Sequence, residues 1–245
     1  MKMRFDILTL FPEMVEGVLK ESILGRAVQK DILEINCIQI RDYAFNKHRK
    51  VDDYPYGGGT GMIMQAEPIF QAYQDIVKDL DYKPHTIYMS PQGKTLRQSH
   101  AKKLSKKKHI IVLCGHYEGV DQRVLDEIID EEISLGDFVL TGGEIAAMAL
   151  VDATARMVDG VLKEEASYSE ESHFSGLLEH PQYTRPAIWN EKKVPDVLLN
   201  GNHKEISEWK RNKSIETTFK KRKGMLNKAK LSETERKYVK TLKIK

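Results

Sequence analysis

The chain has 245 residues, 40% of them hydrophobic and 31% charged, which is enough to bury a core and far from the composition of disordered chains. No apolar run approaches the roughly 18 residues that span a bilayer, and the opening segment carries Lys2, Arg4 and Asp6 without a long apolar stretch, so a soluble, cytoplasmic protein is expected. The net charge of +3 hides an asymmetry: residues 201–245 hold 15 Lys and Arg against 5 Asp and Glu (+10), and residues 1–200 hold 24 against 31 (−7). A basic end on an acidic body points to a polyanion partner, nucleic acid first among them, with a lysine-rich solvated surface as the alternative.

In chain order, 4–11 and 33–40 read as strands, and 12–30 between them carries the spaced apolar residues of helical segments, a β-α-β opening. A Gly-rich loop follows. Residues 67–80 read as a helix, 85–90 and 109–114 as short buried strands around a helix at 96–104, 131–135 as a strand end, and 144–158 as a helix rich in good formers. Strands alternating with helices imply a mostly parallel sheet covered on both faces. From Gly160 the character changes. A polar stretch over 163–172 and then Pro181, Pro186 and Pro195 read as a linker and the entry to a second domain, with helical composition from about Val197 onward. Cys37 and Cys114 lie in apolar runs and read as buried thiols.

Dinucleotide and P-loop fingerprints fail. In Gly57-Gly58-Gly59-Thr60-Gly61, Met62 stands where the last glycine of G-x-G-x-x-G would fall, and upstream of Gly93-Lys94-Thr95 the required glycine is Tyr88. Cys114-x-His116 has no second pair to complete a tetrahedral set, so no metal site is expected. What remains is three loops that each follow an apolar strand: Tyr88-Met89-Ser90-Pro91, Cys114-Gly115-His116-Tyr117-Glu118-Gly119, and 134–143. Ligands of open α/β sheets bind outside the carboxyl ends of strands, and glycines there allow close approach to the backbone. Each loop alone reads equally as a turn; three in succession suggest a nucleoside site.

The blocks 51–62, 114–119, 133–137, 140–144 and Pro181-Gln182-Tyr183-Thr184-Arg185-Pro186 resemble, in that order, the signature blocks of the bacterial tRNA (guanine-N1)-methyltransferases, a SPOUT-class family. The resemblance runs from about Phe5 to Trp209 and weakens over the basic tail. It implies an α/β fold with a trefoil knot and a small, mainly helical C-terminal domain, divided as an S-adenosylmethionine-binding catalytic domain over 1–160, a linker over 161–173 and a tRNA-binding domain over 174–245. It further implies a homodimer whose active sites combine one protomer's donor pocket with the other's linker and C-terminal domain. The reaction implied is methyl transfer from S-adenosylmethionine to N1 of the guanine immediately 3′ of the anticodon, with any divalent metal dependence left open.

Carried residue by residue, the resemblance gives a donor pocket of Tyr88, Ser90, Pro91, Gly115, Tyr117, Gly119, Leu135, Gly136, Asp137, Phe138, Val139, Leu140, Gly142 and Gly143. Glu118 would offset the sulfonium charge, and Arg156 would steady negative charge on guanine O6; the bland readings are an exposed loop carboxylate and a helix-surface arginine. The base departs from the family pattern. Where the family has aspartate, counting back from Gly176 without a gap places Glu171, one methylene longer, with Glu170 as a neighbouring candidate. Two rival readings are a SPOUT enzyme acting on another RNA position, such as a ribose 2′-oxygen, and an RNA-binding protein with a relict donor site.

Overall fold

The computed structural model describes residues 2–163 and 171–242, and the chain divides into two compact units, Met1–Lys163 and Glu164–Lys245. The first unit is built on five parallel strands in the order β2-β1-β6-β5-β7: β1 (Met3–Thr9), β2 (Leu33–Gln39), β5 (His85–Thr95), β6 (His109–Cys114) and β7 (Glu131–Ser134). Two short strands, β3 (Asp52–Asp53) and β4 (Ile63–Met64), pair antiparallel outside this sheet. Six helices of the unit are α1 (Pro12–Leu19), α2 (Ser22–Gln29), α3 (Ala66–Val77), α4 (Gln98–Leu104), α5 (Gln122–Ile128) and α6 (Glu144–Ala155).

The period-2 alternation of the strands sorts their side chains onto two cores. Phe5, Ile7, Ile87, Met89, Ile110, Val112 and Cys114 pack with α1, α2, α4 and α6; Leu8, Tyr88, Ile111 and Leu113 pack with α3 and α5. Because both faces are covered, β6 is buried along its whole length, which is why Ile110–Cys114 reads as an unbroken apolar run. Each such fully buried Leu or Ile side chain contributes about 1.5–3 kcal/mol.

Several expected boundaries move, each for a local reason. β1 stops at Thr9 because Pro12 opens α1 and Phe11 becomes its N-cap residue. Residues 12–30 form two helical segments, α1 and α2, with Lys20 and Glu21 between them and Ser22, at φ 53, opening the second. β7 ends at Ser134 and α6 at Ala155, leaving Arg156 as its C-cap residue. The largest difference is β5, which runs past Ser90 to Thr95. Ile133 of β7 is the register partner of both Met89 and Lys94, so two runs of one segment flank β7.

The second unit has its own small core of Leu177, Ile215, Leu226 and Ala229. It contains α7 (His203–Arg222) and α8 (Glu233–Leu242), as its helical composition suggests, with a 3-10 segment at Lys223–Asn227. The proline-rich entry holds a hairpin, β8 (Ile188–Trp189) and β9 (Lys192–Lys193), whose turn residues Asn190 and Glu191 have φ of 47 and 61. That pair of positive angles is the type I′ pattern, and asparagine tolerates it well.

Candidate functional site

β6, β5 and β7 are adjacent, so the loops leaving β6 and β7 converge on Tyr88–Pro91, where the first run of β5 ends. Tyr88, Ser90, Pro91, Gly115, Tyr117, Glu118, Gly119, Leu135, Phe138, Val139, Leu140, Gly142 and Gly143 line one cleft of about 220 Å³. Of the pocket residues expected from sequence, Gly136 and Asp137 do not line it. Gly136 instead shapes the loop: its N–H donates to Ser134 Oγ at 3.1 Å, Phe138 N–H donates to its carbonyl at 2.9 Å, and a Cβ on it would come 2.9 Å from the Phe138 ring.

The glycines of the cleft are where the chain touches itself too closely for a side chain. A Cβ on Gly115 would lie 2.8 Å from the Tyr88 hydroxyl, and one on Gly143 would lie 2.8 Å from the Cys114 Cα. Gly143 N–H donates to the Gly115 carbonyl at 2.8 Å, which ties the second loop to the third. Tyr117 at φ 58 and Gly119 at φ 143 turn the middle loop back sharply. Burial, with the charge of Glu132 behind it, pushes the Tyr88 hydroxyl up, so it is a neutral donor and acceptor at physiological pH.

Residues not singled out from sequence complete the wall. Thr141, Ala146 and His116 line the cleft; the buried His116 Nδ1 has no hydrogen-bond partner among the described residues, and a Cβ on Gly142 would come 2.6 Å from it. The glycine-rich loop also proves to be part of the site's support. Glu118 N–H donates to the Met62 carbonyl, Met64 N–H to the Gly119 carbonyl and Asp121 N–H to the Met64 carbonyl, at 2.9–3.0 Å. Gly61, at φ 92, leaves the space that the Glu118 side chain fills, since a Cβ there would be 2.5 Å from Glu118 Cγ. Sequence offered one signal for this: glycines in a row without a phosphate-binding register.

Arg156 does not line the cleft. Glu144 starts α6 at the cleft, and Arg156 caps its other end, about 18 Å away along a 12-residue helix. Glu171 belongs to the second unit, where its carbonyl accepts from Phe174 N–H at 3.3 Å. The turn that follows is anchored: His173 N–H donates to the Leu177 carbonyl at 2.8 Å, Leu177 is buried, and Leu178 N–H donates to the buried Thr218 Oγ1 at 2.8 Å. Glu170 and most of the expected linker lie outside the described residues. Both cysteines are free thiols, Cys114 buried and Cys37 half-buried. Burial pushes the Cys37 thiol up to about 12 and Cys114 upward as well, so neither offers a thiolate.

A parallel α/β sheet with glycine loops converging on one cleft, in a chain that also carries a basic helical unit, defines the class of α/β nucleoside-binding proteins. The family model described as tRNA (Guanine-1)-methyltransferase TrmD matches residues 3–228, and the chain belongs to this family. Relatives carrying the name tRNA (guanine-N(1)-)-methyltransferase include one from Ruminiclostridium cellulolyticum, 56% identical over 226 residues, covering 92% of this chain and 97% of its own. One from Alkaliphilus oremlandii is 52% identical, covering 99% of this chain and 100% of its own.

Proposed function

We propose that the protein methylates N1 of the guanine immediately 3′ of the anticodon in tRNA, using S-adenosylmethionine held in the cleft at the ends of β5, β6 and β7. The observation that carries this reading is the convergence of two glycine loops and the Tyr88–Pro91 segment on one cleft in a chain of this family. S-adenosylmethionine supplies an electrophilic methyl group on a sulfonium. The cleft suits such a donor: glycines at 115, 142 and 143 allow backbone approach, Tyr88 and Tyr117 give apolar area with polar tips, and His116 Nδ1 is a buried polar atom without a hydrogen-bond partner among the described residues. Glu118 offers the counter-charge.

Guanine N1 carries a proton that must leave as the new bond forms. Glu171 is the proposed base, and Arg156 is proposed to stabilise the charge that gathers on O6. Because Arg156 stands one helix length from the cleft of its own chain, we place the reaction at a composite site in a homodimer, where one protomer's donor cleft meets the other's linker and C-terminal unit. The tRNA would be gripped by that unit, whose last 45 residues carry +10. The proposed fold is a trefoil knot, supported by the two runs of β5 on either side of β7 and by Gly93, whose Cβ would strike the Glu132 and Ile133 backbone at 2.4–2.5 Å. The proposed compartment is the cytoplasm; no helix among the described residues is long and apolar enough to cross a membrane.

The test is methylation of a tRNA transcript with mapping of the product. A methyl group on guanine N1 next to the anticodon is expected, and one on a ribose oxygen or another base would overturn the reading. Glu171→Gln should retain donor and tRNA binding while single-turnover transfer falls by about 10² to 10⁴-fold. If it keeps the full rate while Glu170→Gln loses it, the base is Glu170.

A further inference from the structure

Residues 94–108 contain seven Lys or Arg and no Asp or Glu, within a body whose first 200 residues sum to −7. The run covers the end of β5, all of α4 and the turn into β6. Lys94, Arg97, Lys103 and Lys107 line a second cleft, of about 650 Å³, together with His85 and His100. His85 and Glu131 open β5 and β7, and Lys94 and Thr95 close the second run of β5, so this cleft is bounded by both and shares no lining residue with the donor cleft.

At the four cations that line the cleft the charge is uncompensated among the described residues. Elsewhere on the body Lys2, Lys20, Lys78 and Lys83 each sit 2.6–2.9 Å from a carboxylate. Among the described residues, no carboxylate lies within ion-pairing distance of Lys94, Arg97, Lys103 or Lys107, and all four are exposed. Glu131, the acid lining the cleft, is covered by two imidazoles, His100 Nε2 at 3.1 Å and His85 Nε2 at 3.4 Å. The frame beneath is firm, since α4 buries Ala101 and Leu104 against the core. Four unpaired cations on a rigid concave surface concentrate positive potential, and the guanidinium of Arg97 has the fork geometry that matches a phosphate.

We propose that this cleft grips backbone phosphates of the tRNA substrate, an electrostatic contact on the catalytic body additional to the basic C-terminal unit. The proposal rests on the tRNA reading above. Neutralising phosphate contacts flattens the salt dependence of RNA affinity by about 0.7–0.9 in log–log slope per contact.

The experiment compares the full-length protein with Arg97→Gln/Lys103→Gln/Lys107→Gln and with a control, Lys2→Gln/Lys20→Gln/Lys78→Gln, which removes three paired charges. Affinity for an unmodified tRNA transcript is measured across a salt series, with S-adenosylmethionine calorimetry and light scattering on each protein. The cleft variant should lose about 2–3 from the slope, with donor affinity and oligomeric state unchanged, and the control should keep the wild-type slope. Equal slopes for wild type and cleft variant, or equal losses in cleft variant and control, would overturn the proposal. A cleft variant that keeps its slope but changes oligomeric state would make the surface a protein contact and overturn it too. If wild type binds tRNA with the cleft-dependent slope yet transfers no methyl group, the cleft stands and the methyl-transfer reading falls.

Discussion

Gly142 and Gly143 are neighbours that a side chain would punish differently. At Gly143 a Cβ meets backbone, Cys114 Cα at 2.8 Å and Gly115 N at 2.9 Å, and strands that form the sheet core cannot retreat. At Gly142 it meets the tips of side chains, Glu144 Oε2 at 2.5 Å and His116 Nδ1 at 2.6 Å, which can swing but only by reshaping the cleft wall. Gly143→Val should therefore cost about 1–3 kcal/mol of stability, several degrees in Tm, along with donor binding. Gly142→Ala should leave Tm nearly unchanged and weaken S-adenosylmethionine binding by about tenfold or more, at least about 1.4 kcal/mol. Calorimetry and thermal melts on the two variants separate these; a Gly142→Ala protein with native donor affinity would remove that position from the site.

At the scale of elements, the polar residues inside the sheet carry the pH dependence. Asp6 of β1 is fully buried and accepts from His109 Nε2 at 2.7 Å, from Asn36 Nδ2 at 2.7 Å and from Arg4 at 2.9 Å, joining β1 to β6 and β2. Burial works to raise this carboxyl, but the hydrogen bonds from His109, Asn36 and Arg4 outweigh it and hold it below its ordinary value. The folded protein therefore binds this proton less readily than the unfolded chain. The stability it contributes is present above the ordinary aspartate value near 3.9 and is lost as pH falls through the folded one. The stability gap between wild type and Asp6→Asn should thus narrow as denaturant melts move from pH 6 to pH 3. A gap that stays constant would mean that Asp6 titrates alike in both states.

The same elements explain what could be read in advance. Ile110–Cys114 is apolar throughout because helices cover both faces of β6, and α6 is apolar nearly all round because it lies against the core and the cleft. The Gly93–Thr95 return of β5 has no such pattern, since it is held by β7 backbone rather than by side-chain burial, and so it was invisible as a strand. Twelve of the fourteen expected pocket residues, together with Glu118, line one cleft because they came in blocks anchored to strand ends; Gly136 and Asp137 were included by contiguity, and contiguity does not say which way a loop residue faces. The basic run over 94–108 disappeared in the acidic total of the body. Charge that matters as a surface is not legible as a sum.

For the whole molecule, the separation of Arg156 from the donor cleft along α6 and the location of Glu171 in the second unit lead to a test of shared active sites. A donor-dead protomer, Gly142→Val, still carries an intact Glu171. A base-dead protomer, Glu171→Gln, still carries an intact donor cleft. If each site takes its cleft from one chain and its base from the other, a mixed dimer contains one site with both parts intact and one with neither. Random re-pairing of an equal mixture makes half the dimers mixed, so about a quarter of all sites should be whole, by the two-fold symmetry of such a dimer. Each variant alone should transfer methyl groups at no more than about a hundredth of the wild-type rate, whereas the re-paired mixture should recover about a quarter of it. If cleft and base act within one chain, every site in the mixture carries one defect and activity stays at the level of the single variants. Single-turnover methyl transfer before and after subunit exchange reads the difference directly, and no recovery after confirmed exchange would put the complete site in a single protomer.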